Sequence, residues 1–224
     1  MICPACKKNS LTFDIGAITG KYVCNNCGYR GVLALEKIKF RYFFTSSGLL
    51  VLVGKNAEQN EELIKKFTSP NEIVLHTATP GSPFCVLKGE AKAKDIMEAA
   101  IFCSCFSQDW KRGKKISEVH AFYASSIYKE KGMPLGTFGV KEVIKKIKVR
   151  NELYINIKGN IIDIFVYKTG KNIGKLFPGG NLKREDIIEK LKNYAKSKNL
   201  KLGRLMMPFS NIKLKLKMRI KKEK

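Results

Sequence analysis

The stretch FRYFFTSSGLLVLVGKNAEQNEELIKKF, residues 40–67, joins a long apolar run to an acidic segment. The apolar run ends at Gly54, and Asn56 follows as a candidate helix N-cap, with Gln59 three residues later as in a capping box. Glutamates in the first helical turns suit the positive end of the helix dipole. We therefore predict a buried strand that leads into a helix over residues 55–67.

The segments that follow continue this alternation of strand and helix. Apolar runs at residues 72–76 and 84–89 flank a corner rich in Gly and Pro, TATPGSP, and a second helix is predicted from residue 91 to about residue 108. These segments are sufficient for a core. We therefore predict an α+β fold in which helices pack on a mixed or antiparallel sheet.

Three polar residues of this block are candidates to bind a ligand. Asn60 lies on the apolar face of the first predicted helix, where it needs a buried partner, either a neighbouring strand or a ligand. Lys55 stands beside the helix N-terminus, which favours phosphate. His76 ends a predicted strand, where it is either a satisfied structural group or a ligand contact. The spacing from Gly48 to Lys55 excludes a nucleotide-hydrolysing phosphate loop, because apolar residues fill it and no Ser or Thr follows the lysine.

Four cysteines near the N-terminus have the spacing of a zinc site. They form the pattern C-x2-C-x17-C-x2-C with Cys3, Cys6, Cys24 and Cys27. Two such knuckles complete the tetrahedron of thiolates that Zn²⁺ accepts, and Gly28 frees the backbone to turn after the second knuckle. We predict a zinc ribbon over residues 1–35 whose Zn²⁺ is structural and supplies its folding energy. A redox pair of CxxC motifs is the alternative.

The remaining cysteines, Cys85, Cys103 and Cys105, lack this spacing. Cys85 lies in a strand-like run, and the other two lie two positions apart in a predicted helix, so they face different sides. We expect buried thiols. A sulfur-carrying or nucleophilic role is the alternative.

The charge of the chain indicates a polyanionic partner. Its 224 residues include 43 Lys and Arg against 19 Asp and Glu, a net charge of +24. Nucleic acid is the commonest polyanion, although a solvated surface or an anionic membrane would also suit a basic protein. No apolar run approaches the ~18 residues of a membrane span, and the N-terminus lacks an apolar signal-peptide core. We therefore expect a cytoplasmic protein without a membrane partner.

Two basic segments are candidates for RNA contacts. The first is Trp110 with the basic turn KRGKK, which contains Lys111, Arg112, Lys114 and Lys115. An aromatic ring beside basic residues fits base stacking with phosphate contacts, although a tryptophan at a helix end also fits a core position. The second is a strictly alternating strand over residues 211–222, which would place Lys213, Lys215, Lys217 and Arg219 on one face. The alternative for this cationic ladder is a solvated sheet edge.

The C-terminal third contains further elements. Residues 154–167 are predicted to form a hairpin that turns at residues 158–160. A Gly-rich loop over residues 169–181 and a helix over residues 182–198 follow. Together with the ladder these elements have ββαβ order. Residues 141–150 are basic and ambiguous between helix and strand.

Residues 40–145 resemble the NFACT-R domain, an RNA-binding-type domain of ribosome quality-control proteins. The resemblance rests on FFTSSGLLVLVGKNAEQNEELIKKF, VLHTATPGSPFCVLKG and AAIFCSCFSQDW, in the order and spacing of the family. The family phrase falls on Gly54, Lys55, Asn56, Gln59, Asn60 and Glu61, the strand-end histidine on His76 and the helix-end tryptophan on Trp110. The acidic residue that usually follows the histidine is absent, since Thr77 and Ala78 stand there.

The resemblance implies a non-enzymatic protein that contacts tRNA or the large ribosomal subunit and takes no small-molecule substrate. We predict that Lys55, Gln59 and His76 are among its RNA contacts. We predict a ribbon over residues 1–35, an NFACT-R-like domain over residues 36–150, and a basic region over residues 151–224 that is either a second lobe or part of the central domain. One alternative is a component of a tRNA-modification or sulfur-relay pathway that uses Cys103 or Cys105. Another is a transcription-type ribbon that binds protein.

Overall fold

The computed structural model describes residues 5–6, 11–13, 21–24, 26–28, 30–32 and 39–216. For residues 11–13, 21–24, 30–32 and 204 the structure describes the backbone only. The chain divides into two compact units. The first consists of Met1–His76, Pro83–Cys103 and Val119–Ile147, and the second of Thr77–Ser82, Ser104–Glu118 and Lys148–Lys224. The domain boundaries predicted at residues 35 and 150 remain predictions.

The N-terminal residues contain three short strands. They are β1 (Leu11–Phe13), β2 (Lys21–Cys24) and β3 (Arg30–Val32). β2 lies between the other two and is antiparallel to both. Gly28 has a φ of 71°, in the left-handed region that favours glycine, so the backbone turns after the second cysteine pair as predicted.

The central region follows as strands and helices in alternation. The strands are β4 (Arg41–Phe44), β5 (Leu50–Val53), β6 (Ile73–Thr77), β7 (Cys85–Lys88), β8 (Ile116–Tyr123), β9 (Ile127–Tyr128), β10 (Gly139–Val140) and β11 (Lys145–Arg150). The helices are α1 (Ala57–Phe67), α2 (Ala93–Cys105) and α3 (Gln108–Lys111). The main sheet has the order β11-β8-β6-β7-β5-β4, and β9 pairs with β10.

The predicted core of this region is confirmed. Every residue of β5 and β7 is buried, and both strands lie inside the sheet with antiparallel neighbours. Leu63 of α1 and Val74 of β6 are buried in the same apolar cluster as Leu50 and Leu52. The ambiguous segment before residue 150 is a strand, β11.

The second predicted helix is shorter than expected. α2 ends at Cys105, and Trp110 lies on the separate short helix α3. Ser107 causes this break, because its hydroxyl caps α3 by accepting from the Asp109 N–H (3.1 Å) and donates to the Ser104 carbonyl oxygen (2.7 Å). Serine competes in this way with the continuing helix.

The C-terminal region has its own five-stranded sheet. Its elements are β12 (Leu153–Lys158), β13 (Ile161–Phe165), β14 (Lys171–Leu182), α4 (Arg184–Ser197), β15 (Lys201–Leu205) and β16 (Ile212–Leu216). The order is β15-β13-β12-β14-β16, with only β13 and β15 parallel among these pairs. The predicted hairpin and helix are confirmed.

The Gly-rich loop prediction is wrong, because these residues form the twelve-residue strand β14. Its glycines allow β16 to come close. A Cβ on Gly174 would lie 2.8 Å from the Lys215 carbonyl oxygen, and one on Gly180 would lie 2.2 Å from the Ile212 carbonyl oxygen. Glycine in a strand often marks such an approach of another backbone. The predicted ββαβ order is therefore also wrong, since three strands precede α4 and two follow it.

No helix in the described part of the chain is long and apolar enough to cross a membrane.

Candidate nucleic-acid interface

The start of α1 is held together by the polar residues of the family phrase. Asn56 accepts from the Gln59 N–H (2.9 Å), which confirms the predicted cap. The Gln59 side chain accepts from the Lys55 N–H (3.1 Å) and donates to the Lys39 carbonyl oxygen (3.2 Å). Both ends of the Gln59 amide are thus used within the fold. The Lys55 side chain is exposed.

Asn60 has a buried partner in the protein, Phe84, which immediately precedes β7. Its Oδ1 accepts from the Phe84 N–H at 3.3 Å. A Cβ on Gly54 would lie 2.1 Å from this same oxygen. Gly54, just after β5, therefore contacts Asn60 of α1 so closely that a side chain at position 54 would overlap the asparagine.

Glu61 ties a loop to α1. Its carboxylate accepts from the Gly136 N–H (2.8 Å) and pairs with Lys129 (2.8 Å) and Lys65 (2.6 Å). Hydrogen bonds from the two lysines lower the pKa of Glu61 to about 2, and they outweigh burial, which acts to raise it. Lys129 also donates to the Pro134 carbonyl oxygen (2.8 Å), so the loop is closed around this ion pair.

The TSSG turn, residues 45–48, belongs to the stretch that carries the family resemblance and is also bonded within the fold. Ser46 donates to Glu98 from its N–H (2.6 Å) and from its hydroxyl (2.7 Å). Thr45 donates to Asp95 (2.5 Å), and the Ser47 hydroxyl donates to the same carboxylate. The two acidic side chains of α2 thus hold the turn between β4 and β5.

His76 is half-buried near the end of β6. Its ring lies 4.8 Å from the ring of Phe84, centroid to centroid, at 38° between planes. The structural alternative therefore accounts for its position, while the RNA contact remains a prediction.

Trp110 is a core residue, so the stacking prediction for this residue is corrected. Its side chain has 1% of its surface exposed, and its indole N–H donates to the Ser210 carbonyl oxygen at 3.3 Å. A ring without an exposed face cannot stack on a base. Asn211 binds the same helix, since its side-chain amide donates to the Lys111 carbonyl oxygen (2.8 Å).

The basic turn after Trp110 is exposed and lies in the second unit. Lys111, Arg112 and Lys115 are exposed, whereas Lys114 pairs with Asp109 (2.8 Å). Burial acts to raise the pKa of Asp109, but hydrogen bonds led by that from Lys114 lower it overall. The hydrogen bonds of Trp110 and Lys111 to residues 210 and 211 bring this turn close to the start of β16.

The cationic ladder is confirmed over the residues that the structure describes. Lys213 and Lys215 are exposed on β16, while Ile212 is buried and Leu214 is half-buried. Neither lysine forms an ion pair within the described ranges. The predicted contacts Lys217 and Arg219 lie outside those ranges.

Sequence reasoning missed an aromatic surface on the same sheet. Tyr154 of β12 pairs with Phe165 of β13 and with Lys175 of β14. Lys175 in turn pairs with Lys215 of β16. Partners in antiparallel register project from the same face. We call this the aromatic face, and its members are Tyr154, Phe165, Tyr167, Phe177, Lys168, Lys175, Lys213 and Lys215.

The rings of the aromatic face are half-buried, and lysines lie among them. Phe165 and Tyr167 stack on each other with centroids 5.4 Å apart. The Lys175 ammonium lies 4.7 Å from the Tyr154 centroid and 6.0 Å from that of Phe177. The available sequence signal was the occurrence of Tyr or Phe at alternate strand positions, opposite the buried isoleucines.

The positive charge is unevenly distributed along the chain. Residues 143–224 contain 23 Lys and Arg against 6 Asp and Glu, a net charge of +17. Residues 39–142 contain 15 against 11, a net charge of +4. The electrostatic attraction for a polyanion therefore comes mainly from the C-terminal region.

The cysteines fall into two groups. Cys85, Cys103 and Cys105 have no exposed surface, which confirms buried thiols. Burial raises the pKa of Cys85. In the N-terminal group, Cys6 and Cys27 lie in turns and Cys24 ends β2. No cluster of three metal-binding side chains occurs among the described residues, but Cys3 and the Cys24 side chain lie outside them, so the zinc site remains a prediction.

Comparisons with known proteins agree with the resemblance found in the sequence. Residues 39–142 match a family described as "NFACT protein RNA binding domain". The archaeal Rqc2 homolog aRqcH of Methanocaldococcus jannaschii is 41% identical over 81 residues, which are 35% of this chain and 12% of that protein. The Rqc2 homolog RqcH of Bacillus subtilis is 42% identical over 65 residues, 29% of this chain and 11% of that protein.

A human relative and a solved structure are also similar to parts of this chain. The human ribosome quality control complex subunit NEMF is 32% identical over 76 residues, 32% of this chain and 7% of that protein. The C-terminal part of the fibronectin/fibrinogen-binding protein from Streptococcus suis superposes with a TM-score of 0.47 at 22% identity, over 53% of this chain and 47% of that one. The chain thus spans only a small part of these curated relatives. Residues 39–142 form an NFACT-R domain, and through it the chain is homologous to the Rqc2 and NEMF proteins.

Proposed function

We propose that this protein binds RNA and serves ribosome quality control, with tRNA or ribosomal RNA of the large subunit as its target. The observation that carries the proposal is the presence, in one chain, of an NFACT-R domain and a C-terminal region of net charge +17. The domain suggests the class of partner, and the charge supplies attraction to phosphates. The role is binding, without catalysis or a small-molecule substrate, and the location is the cytoplasm.

The first experiment measures binding to bulk tRNA and to purified large ribosomal subunits as a function of salt. The logarithm of the association constant should fall linearly with the logarithm of salt concentration, because phosphate contacts release counterions. Replacement of Lys213 and Lys215 by glutamine should reduce that slope by roughly 1.5, the contribution of two phosphate contacts. A slope near zero for the unchanged protein would overturn the proposal.

The matched control is a double variant in the NFACT-R domain, Lys66→Gln with Lys94→Gln. Both lysines are exposed on helices of the first unit, and the variant removes the same amount of charge. We expect its salt slope to stay near that of the unchanged protein. An equal reduction in both variants would show that net charge, and not the C-terminal sheet, determines binding.

We further infer that Cys3, Cys6, Cys24 and Cys27 hold one structural Zn²⁺. The cysteine spacing, the β1–β2–β3 sheet and the left-handed Gly28 support this inference. Four thiolates form a closed tetrahedral site, so the ion would supply folding energy without an open position for a reaction. Metal analysis should find about one zinc per chain, and Cys27→Ser should lower it. Native NMR dispersion of the ribbon after complete chelation would contradict the inference.

The sulfur-relay alternative requires a reactive, accessible thiol. Cys103 and Cys105 are both fully buried, and the Cys103 thiol contacts the carbonyl oxygen of Pro83 at 3.4 Å. The structure therefore weighs against that alternative. Alkylation of the native protein should label Cys85, Cys103 and Cys105 slowly.

The third alternative, a ribbon that binds a protein partner, predicts that the ribbon alone retains binding.

A further inference from the structure

We propose that the aromatic face binds a single-stranded segment of RNA, with bases stacked on its rings and its lysines on the phosphates. This inference rests on the proposed function and specifies the form of the RNA. The surface lies in residues 154–215, outside the residues 39–142 that match the NFACT-R family.

The strand register alternates rings and lysines across the sheet. Tyr154 lies between Phe165 and Lys175, and Phe177 pairs with Lys213. Directly opposite residues have Cβ atoms ~4.5–5.5 Å apart. Tyr154 and Phe177 therefore each have a lysine directly opposite, whose ammonium group can reach the phosphate that follows a stacked base. Proteins that bind single strands combine rings and cations in this way.

Tyr154 is oriented by its neighbours. Its hydroxyl donates to Glu152, which also accepts from Lys175 (3.0 Å). Burial, followed by the Glu152 carboxylate, raises the pKa of Tyr154 to about 12, so the phenol stays neutral. The opposite side of the sheet buries apolar residues such as Ile155 and Ile164. The ring is thus held at the surface on a rigid support.

The lysines near Tyr154 do not prevent stacking. Lys168 and Lys175 place their ammonium groups 5.6 and 4.7 Å from the ring centroid. At exposed sites a lysine on a ring contributes less than a stacked base. A base that displaces an ammonium group breaks this weaker contact, and the displaced ammonium group can contact a phosphate, which offsets the loss.

The composition of the face selects a single strand over other polyanions. Its acidic neighbours are Glu152, which pairs with Lys175, and Asp163, which follows in the next row beside Asn156. With four lysines against these two carboxylates, the net charge of the aromatic face is positive. An acidic peptide would use the lysines but not the flat rings. In a duplex the bases are paired and stacked inside, so they cannot reach the rings.

The test uses the full chain and the double variant Phe165→Leu with Phe177→Leu, which keeps apolar volume but removes two rings. The probes are a labelled twelve-residue oligouridine, a twelve-base-pair RNA duplex and the matching oligodeoxyuridine. We expect at least a tenfold loss of affinity for oligouridine, equivalent to about 1.4 kcal/mol. The salt slope and the duplex affinity should not change. Tyr123→Leu, which removes an exposed ring elsewhere, should have no effect.

Three outcomes would overturn the inference. The first is that the double variant loses as much affinity for the duplex as for oligouridine. The second is that Tyr123→Leu loses as much affinity for oligouridine as the double variant does. The third is that the unchanged protein prefers the DNA probe to oligouridine. If a poly-glutamate peptide loses affinity for the double variant as oligouridine does, the partner is a protein. If the unchanged chain binds no RNA in a salt-dependent way, the proposed function fails as well. If it binds RNA but the rings do not matter, only this inference fails.

A second measurement does not depend on the folding of a variant. The unchanged protein is crosslinked to oligouridine with ultraviolet light, and the crosslinked peptides are identified by mass spectrometry. We expect crosslinks within residues 153–177, at Tyr154, Phe165, Tyr167 or Phe177. Crosslinks found only in other peptides would overturn the inference.

Discussion

The NFACT-R domain and the C-terminal sheet use their polar and aromatic side chains in opposite ways. In residues 39–142, the stretch that carries the family resemblance bonds to the protein itself: Asn60 to Phe84, Glu61 to Gly136, and Ser46 to Glu98. In the C-terminal sheet, Lys213 and Lys215 extend into solvent beside half-buried rings. A recognisable phrase can therefore identify a fold, while the surface that we propose for a partner lies in residues without such a phrase.

The largest expected effect tests the structural role of the phrase. Gly54→Ala should destabilise the protein by ~1–3 kcal/mol, because the added methyl group would overlap Asn60 Oδ1. The measurement is urea unfolding. In an Asn60→Ala background the same substitution should cost clearly less, since the obstructing oxygen is gone. If Gly54→Ala lowers the unfolding free energy equally in both backgrounds, the Gly54–Asn60 contact does not explain why glycine stands at position 54.

A smaller effect is expected from acid. The pKa of Glu61 is about 2 in the folded protein against 4.5 for an ordinary glutamate. A lowered pKa means that the carboxylate stabilises the fold above about pH 4.5, and that this stability is lost as the pH falls towards 2. Glu61→Gln should therefore flatten the decline of unfolding free energy between pH 4.5 and 2. Glu58→Gln, on the exposed side of α1, should leave the decline unchanged.

The smallest expected effect concerns the fluorescence of Trp110, whose emission RNA should leave unchanged. Trp110 is the only tryptophan, so all indole emission reports on it. A buried indole should give blue-shifted emission with little quenching by iodide, and RNA should not quench it further. Strong quenching by RNA would place the family tryptophan on the binding surface and would break the comparison between the two regions.

The sequence predicts the parts of the fold that depend on local chemistry. The cap at Asn56, the helix α1 and the hairpin of β12 and β13 follow from periodicity and turn residues, which act over short distances. β14 could not be predicted, because the close approach of β16 explains its glycines only after the sheet has formed. Trp110 is a similar case, since its buried partner Ser210 lies one hundred residues away.

The same limit applies to the candidate site. Lys213 and Lys215 were found because strict alternation over a strand is visible in the sequence. The rings of the aromatic face come from three strands, and only the register of those strands brings them together. Gln59 and Trp110 had the residue types of an RNA site, but the fold uses the Gln59 amide in its own hydrogen bonds and the Trp110 ring as a core side chain.

The hydrogen bond from Trp110 to Ser210 has a consequence for the order in which the chain folds. The last residues of the first unit, at Ile147, are synthesised well before residues 210–216, which accept the hydrogen bond of Trp110 and add β16 to the sheet. Chains fold as units while they are made, with N-terminal parts first. The first unit can therefore be complete early, whereas the basic unit gains β16 only after residues 212–216 have emerged from the ribosome.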